Sequence, residues 1–362
     1  MGKYRKQFIT GIAIILVIYI VLLIFLDSGD QFDGNVLTEI RRFPLWLVPL
    51  LCLTQVSAGA FRFWEWQYYL GVIDARDKVS IKDSLIIFVS AFTMVVSPGK
   101  AAEVLKSVFL KMKTGIPIAR SAPIVVAERV VDGLAVIVTL LVTMLIAQNQ
   151  LDLGSYESLS RGVIFTSAIL IGAGLVVVQI APLAYFCLGL LKNFPILYRL
   201  QQPLTEFYES SREIFNIRHV IPTTAMGMGV YASSTLGFML VLYGFGLAWS
   251  PELLLQVAFI VGVSSAVGAL SFVPNGAGVT EVTNLGMLLA LVAPAHPELT
   301  PAVAGAAALM QGFFHKWFRV LVGMAVTFIY RNWLFTSDLD AEISQLDENV
   351  KVDKGSPILT TD

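Results

Sequence analysis

Long apolar runs separated by short polar ones set the pattern of this chain. Apolar runs of spanning length occur at 8–26, 44–61, 117–147, 162–190, 220–247 and 301–330. A helix needs about 20 such residues to cross roughly 30 Å of hydrocarbon, so each run is read as a membrane-crossing helix. Two further apolar stretches are interrupted. Residues 84–113 break at Ser97-Pro98-Gly99, and residues 251–293 break at Val273-Pro274-Asn275-Gly276-Ala277-Gly278. Pro and Gly stop a helix where they stand. Each arm is then short for a crossing, and each stretch is expected to be a re-entrant hairpin of two half-helices. The alternative is a kinked pair of ordinary spans. The expected fold is all-α and polytopic, with about six full spans and two re-entrant hairpins.

Composition agrees. Of 362 residues, 56% are hydrophobic and only 14% charged, with a mean hydropathy of +0.75. Soluble domains carry about 25% charged residues. A formal net charge of −1 offers no basic surface for nucleic acid. Cys52 and Cys187 sit in apolar runs and read as buried thiols. The run at 8–26 follows Lys3, Arg5 and Lys6 and lacks a small-x-small cleavage site, so a retained first span is expected rather than a signal peptide.

Lysine and arginine set the orientation. Lys3, Arg5, Lys6, Arg62, Arg76, Lys78, Lys82, Lys111, Lys113, Arg120, Lys192, Arg199, Arg212, Arg218 and Arg331 fall on one side if the N-terminus is cytoplasmic and both broken stretches return to their own side. The other side is then mainly acidic. Both termini are expected in the cytoplasm and the protein in the plasma membrane. The hairpins would enter from opposite faces, each followed by a long span, which is an inverted repeat of the kind that places a site at the midplane. Residues 1–335 form the membrane domain, with repeats at about 82–190 and 220–330. The acidic segment 336–362 reads as a disordered tail. Segments 62–82 and 192–218 read as polar surface at the cytoplasmic headgroups.

The halves also match in their polar residues. Pro98-Gly99-Lys100-Ala101-Ala102-Glu103 parallels Pro274-Asn275-Gly276-Ala277-Gly278-Val279-Thr280-Glu281, and Glu128-Arg129 with Asp132 parallels His315-Lys316 with Arg319 at the same spacing. Charge at the bilayer centre costs a few kcal/mol, so these residues are expected to face a protein interior or a wet cavity. Glu128 and Asp132 share a helix face. Gln311, His315 and Arg319 form a polar stripe, and the two sets can pair acid against base. The same residues also fit a structural salt-bridge cluster. A half-helix start at Pro98-Gly99, with Lys100 beside it, favours an anion such as a lipid phosphate. Glu103 and Glu281 occupy first turns and suit capping as well as binding. Gly276 and Gly278 permit a tight turn, and Asn275 offers hydrogen bonds. Lys106, Lys111 and Lys113 can snorkel to the surface, and Arg62 reads as a snorkelling member of an aromatic belt. The sequence has no nucleotide-binding loop, no H-E-x-x-H and no G-x-S-x-G, and its three histidines are far apart. No metal, cofactor or catalytic residue is expected.

Three segments carry a family resemblance: Ser97-Pro98-Gly99-Lys100-Ala101-Ala102-Glu103, Ala127-Glu128-Arg129-Val130-Val131-Asp132, and Val273-Pro274-Asn275-Gly276-Ala277-Gly278-Val279-Thr280-Glu281. In order and spacing they resemble the flippase-like transmembrane family that forms the membrane half of lysylphosphatidylglycerol synthases. Ala102 stands where that family usually shows glycine. The resemblance implies movement of a phospholipid or lipid-linked headgroup between leaflets. The chain runs only about thirty residues past its last apolar run, so synthase activity is not expected of it.

The expected function is therefore a lipid flippase, not an enzyme. Its partners are membrane lipids with an anionic or phosphate-bearing headgroup, and homo-oligomerisation is left open. Lys100, Glu103, Glu128, Arg129, Asp132, Asn275, Gly276, Gly278, Glu281, His315, Lys316 and Arg319 form the candidate site, with Pro98, Gly99 and Pro274 as the breaks. The alternatives are an intramembrane lipid-phosphate enzyme resembling polyprenyl-pyrophosphate phosphatases, and a non-transporting scaffold.

Overall fold

The computed structural model describes Val17, Ile20 and residues 35–94, 105–147, 156–190, 201–271 and 273–334, and no strand occurs among them. The expected first span, the break at Pro98-Gly99 with Lys100 and Glu103, and the tail 336–362 lie outside the described residues, apart from Val17 and Ile20 in the first span.

The longer helices are α1 (Val36–Arg42), α2 (Val48–Val72), α3 (Ile81–Ala91), α4 (Leu105–Thr114), α5 (Pro123–Ala147), α6 (Tyr156–Gln179), α7 (Ala181–Leu190), α8 (Gln201–Ile214), α9 (Ile217–Gly244), α10 (Pro251–Leu270), α11 (Val279–Met287), α12 (Pro301–Gly312) and α13 (Phe318–Ile329). Helix starts follow the polar residue ahead of each apolar run. Ser80 accepts from the Asp83 amide, Ser250 from Leu253 and Thr300 from Val303. Pro251 and Pro301 fill the first helical positions, where no amide hydrogen is needed.

Among the described residues, five segments are long and apolar enough to cross a membrane: Leu45–Val72, Ile118–Ile146, Ile217–Gly244, Pro251–Leu270 and Pro301–Ile329. Leu45, Phe165, Phe328 and Ile329 are 69–80% exposed. Such an apolar exterior suits lipid rather than water. The chain is an all-α polytopic protein embedded in a membrane.

The interior is built on α9, which packs along α2. Leu47, Leu51, Phe238 and Leu242 lie fully buried in the largest core cluster. Further contacts join distant segments: α10 lies against α5, while α3 and the turn Phe92–Met94 lie against α13. The second contact is close enough to demand glycine. A Cβ on Gly323 would stand 2.8 Å from the Thr93 amide nitrogen and 2.9 Å from the Val89 carbonyl oxygen. Thr93 and Thr327 share a hydrogen bond of 3.0 Å beside it.

Three expectations change. The run 162–190 is two helices, α6 and α7, parted at Ile180. Pro182 cannot donate to the carbonyl four residues before it, and that carbonyl, Val178, accepts instead from the Tyr208 hydroxyl at 3.1 Å. The first arm of the second broken stretch, α10, is 20 residues long and sufficient to cross by length and composition. Segment 62–82 is not all surface, because α2 continues to Val72 with Glu65, Trp66, Tyr69 and Leu70 buried.

Gly323→Ala is expected to destabilise the protein by about 1–3 kcal/mol through overpacking against backbone, measured as a lowered thermal unfolding midpoint in detergent. An unchanged midpoint would show that α13 and the Phe92–Met94 turn separate freely.

Candidate functional site

The polar residues of the spans converge by position. Asp132 stands at the centre of Ile118–Ile146 and His315 at the centre of Pro301–Ile329, while Arg62 and Ser234 lie well inside Leu45–Val72 and Ile217–Gly244. All four line one cavity of about 660 Å³, together with Lys106, Glu128, Arg129, Asn275, Gly276, Lys316 and Arg319.

A π-helical turn, Phe313–Trp317, shapes one wall. The wide turn lets the neighbours His315 and Lys316 both face the cavity along with Gln311 and Arg319. His315 Nδ1 lies 3.2 Å from the Ser234 hydroxyl, and the Gln311 amide donates to the Ser234 carbonyl at 3.3 Å. These contacts tie the last span to α9. The Arg319 guanidinium donates to the His315 carbonyl from Nε at 3.0 Å and Nη2 at 2.8 Å. No carboxylate among the described residues forms an ion pair with it.

The second wall is the turn between α10 and α11. Asn275, Gly276 and Gly278 have φ of 55°, 61° and 84°, the left-handed region that glycine enters without steric cost. Gly276 also passes close to Gly268, where a Cβ would meet the Gly268 Cα at 3.1 Å. The turn begins at Pro274 and delivers Glu281, which is 2% exposed. Its carboxylate accepts from the Gly278 amide at 2.8 Å and from Lys316 at 2.8 Å. Lys316 donates as well to the Gly276 carbonyl at 3.2 Å and to the Thr280 hydroxyl. Glu281 thus caps its helix and also pairs with a buried cation. Gly278 and Glu281 stand behind the lining, with Asn275 and Gly276 at its surface.

The third wall carries charges from α2, α4 and α5. Lys106 on α4 reaches both carboxylate oxygens of Glu128 at 2.7 and 2.6 Å, and its ammonium lies over the Trp66 and Phe88 rings, 5.1 and 5.7 Å from their centroids. Asp132 pairs with Arg62 and, at 3.0 Å, with Arg129. Arg62 also approaches Glu65 at 3.4 Å.

The expected convergence of Glu128, Arg129, Asp132, Asn275, Gly276, His315, Lys316 and Arg319 is therefore present, but the expected pairing is not. The acids of α5 do not bind the bases of the last span. Glu128 takes Lys106, Asp132 takes Arg62 and Arg129, and Lys316 takes Glu281. Arg62 is no snorkelling belt residue. It is half-buried within α2, paired with Asp132, and so leaves the orientation tally, because a guanidinium opposite Asp132 gains more from pairing than from reaching the headgroups. Lys106 is buried. The signal for Arg62 was its place in an apolar run with Glu65 three residues on, one turn of the same helix. His219 and His296 lie apart from the cavity, against Tyr68 and Glu298. Among the described residues no cluster of His, Cys, Asp and Glu has metal-binding geometry.

The family described as the lysylphosphatidylglycerol synthase TM region matches residues 8–323. No curated protein and no solved structure matches the chain.

Removing one member of a buried pair leaves a bare charge and costs about 3–5 kcal/mol, whereas apolar replacement of both is often neutral. Lys316→Met is expected to lower the unfolding midpoint strongly, and Lys316→Met with Glu281→Met to restore most of it. Equal losses in both variants would show that the pair contributes nothing as a pair.

Proposed function

Because the chain belongs to the lysylphosphatidylglycerol synthase transmembrane-region family, we propose that it moves a phospholipid or lipid-linked headgroup between leaflets through the cavity. The observation that carries this reading is the gathering of ionisable groups around one 660 Å³ cavity at the level of the span centres. A charged group at the bilayer centre costs a few kcal/mol. A cavity lined by Arg62, Lys106, Arg129, Lys316 and Arg319 replaces the lost hydration of a phosphate with charge-assisted hydrogen bonds. Acyl chains would stay in the lipid while the headgroup crosses within protein.

In this reading the broken segments are re-entrant hairpins of an inverted repeat. The turn Pro274–Gly276 meets Lys316 near the middle of the last span rather than at its end, which supports a tip inside the membrane. Exchange of partners between the halves supports the repeat, since α10 packs on α5 and α3 on α13. The protein would sit in the plasma membrane with cytoplasmic termini. No nucleotide-binding loop occurs in the sequence, so transport would run downhill or on an ion gradient, with Glu128 and Asp132 as proton carriers in the coupled case.

Reconstitution into vesicles with a fluorescent phosphatidylglycerol tests the proposal. Wild-type protein is expected to expose inner-leaflet probe to a membrane-impermeant quencher, and Arg319→Ala to slow this at least about tenfold, as expected for one charge-assisted hydrogen bond. Unchanged rates in Arg319→Ala, Arg129→Ala and Lys100→Ala would remove the site assignment. No movement across a broad lipid panel would remove the flippase reading, and phosphate release from a polyprenyl pyrophosphate would favour an enzyme.

A further inference from the structure

Two buried lysines face the cavity, and each is already occupied by an anion of the chain itself. In the first half the lysine, Lys106, is on the second arm of the broken segment and the acid, Glu128, is on the long span. In the second half the acid, Glu281, is on the second arm and the lysine, Lys316, is on the long span. The charges are exchanged between halves while the placement is kept. Both lysines are 5% exposed, and both line the same cavity.

Holding helices together does not require this arrangement. A buried ion pair adds little to stability compared with an apolar pair of the same volume, and α4 could rest on α5 through leucines. Ion pairs at the rim of a polar cavity are different, because an incoming anion can exchange with the resident one. The cations are seated to survive that exchange. Lys106 keeps the faces of Trp66 and Phe88, and Lys316 keeps the Gly276 carbonyl and the Thr280 hydroxyl. Glu281 in turn keeps the Gly278 amide and Thr280 after release.

We infer that Lys106 and Lys316 are direct contacts for the headgroup phosphate, and that Glu128 and Glu281 are resident anions that hold the two ammonium groups until the phosphate displaces them. The carboxylates then set affinity by competition, weakening binding enough for release on either side. This rests on the cavity being the headgroup site proposed above.

Binding without transport tests it. Purified protein is titrated with dihexanoyl phosphatidylglycerol, and separately with inorganic phosphate, by microscale thermophoresis and by the ligand-induced rise in unfolding temperature. Glu128→Gln and Glu281→Gln are each expected to bind the short-chain lipid at least about fivefold more tightly than wild type, the lower range of coupling between competing sites, and to show larger ligand-induced rises. Lys106→Met with Glu128→Met is expected to fold and to bind about tenfold more weakly, as expected for one lost charge-assisted contact. Inorganic phosphate following the same order supports recognition of phosphate alone, while a lipid-only response adds the glycerol to the recognised unit. Unchanged affinity in the glutamine variants, or in the double methionine variant, overturns the inference. If Glu128→Gln fails to fold, Glu281→Gln and the double variant decide. A protein that binds in this order yet does not move fluorescent lipid loses the flippase reading and keeps this one.

Discussion

A charge buried at the level of the hydrocarbon must find a partner or water. That constraint organises this protein. Arg62, Glu65, Glu128, Arg129, Asp132, Glu281, Lys316 and Arg319 come from mainly apolar helices, Lys106 joins them from α4, and each would be costly alone against acyl chains. Pairing of all but Arg319 draws α2, α4, α5, α11 and the last span around one space. The apolar surfaces turned outward by the same helices then meet lipid. Burial of the charges and exposure of the leucines are one event seen from two sides.

The irregular backbone occurs where that constraint requires it. Unsatisfied amides and carbonyls are not tolerated against lipid, but they are tolerated where side chains or a cavity satisfy them. The turn after α10 spends left-handed residues at Asn275, Gly276 and Gly278, and Glu281 and Lys316 take up its free backbone groups. The π-helical turn Phe313–Trp317 presents adjacent residues to one cavity, which a regular helix would set about 100° apart. The break at Pro182 is resolved similarly, by the Tyr208 hydroxyl on the carbonyl the proline leaves open.

Under the proposed function, the pairing bears on stability and on transport in opposite ways. A closed ion pair keeps an empty site intact, since no cation is left bare. The same pair must open if an anion from outside is to be received. Arg319 is the exception: its guanidinium is held by a carbonyl of its own helix rather than by a carboxylate.

Much of this was legible without coordinates. Run length and hydropathy determined an all-helical membrane protein, because the cost of exposing apolar residues to water is additive along the chain and independent of partners. The same logic marked Glu128, Arg129, Asp132, His315, Lys316 and Arg319 as interior, since a charge in an apolar run must turn away from lipid wherever the helix goes. Partner choice was not legible. Glu128 meets Lys106 rather than His315, and Arg62 meets Asp132 rather than a headgroup, because ion-pair selection depends on distances of a few ångströms between helices distant in sequence. Those distances follow from how α2, α3, α4, α5 and α13 pack, through Trp66, Phe88 and the close approach at Gly323, and packing of that kind is a property of the assembled molecule rather than of any one segment.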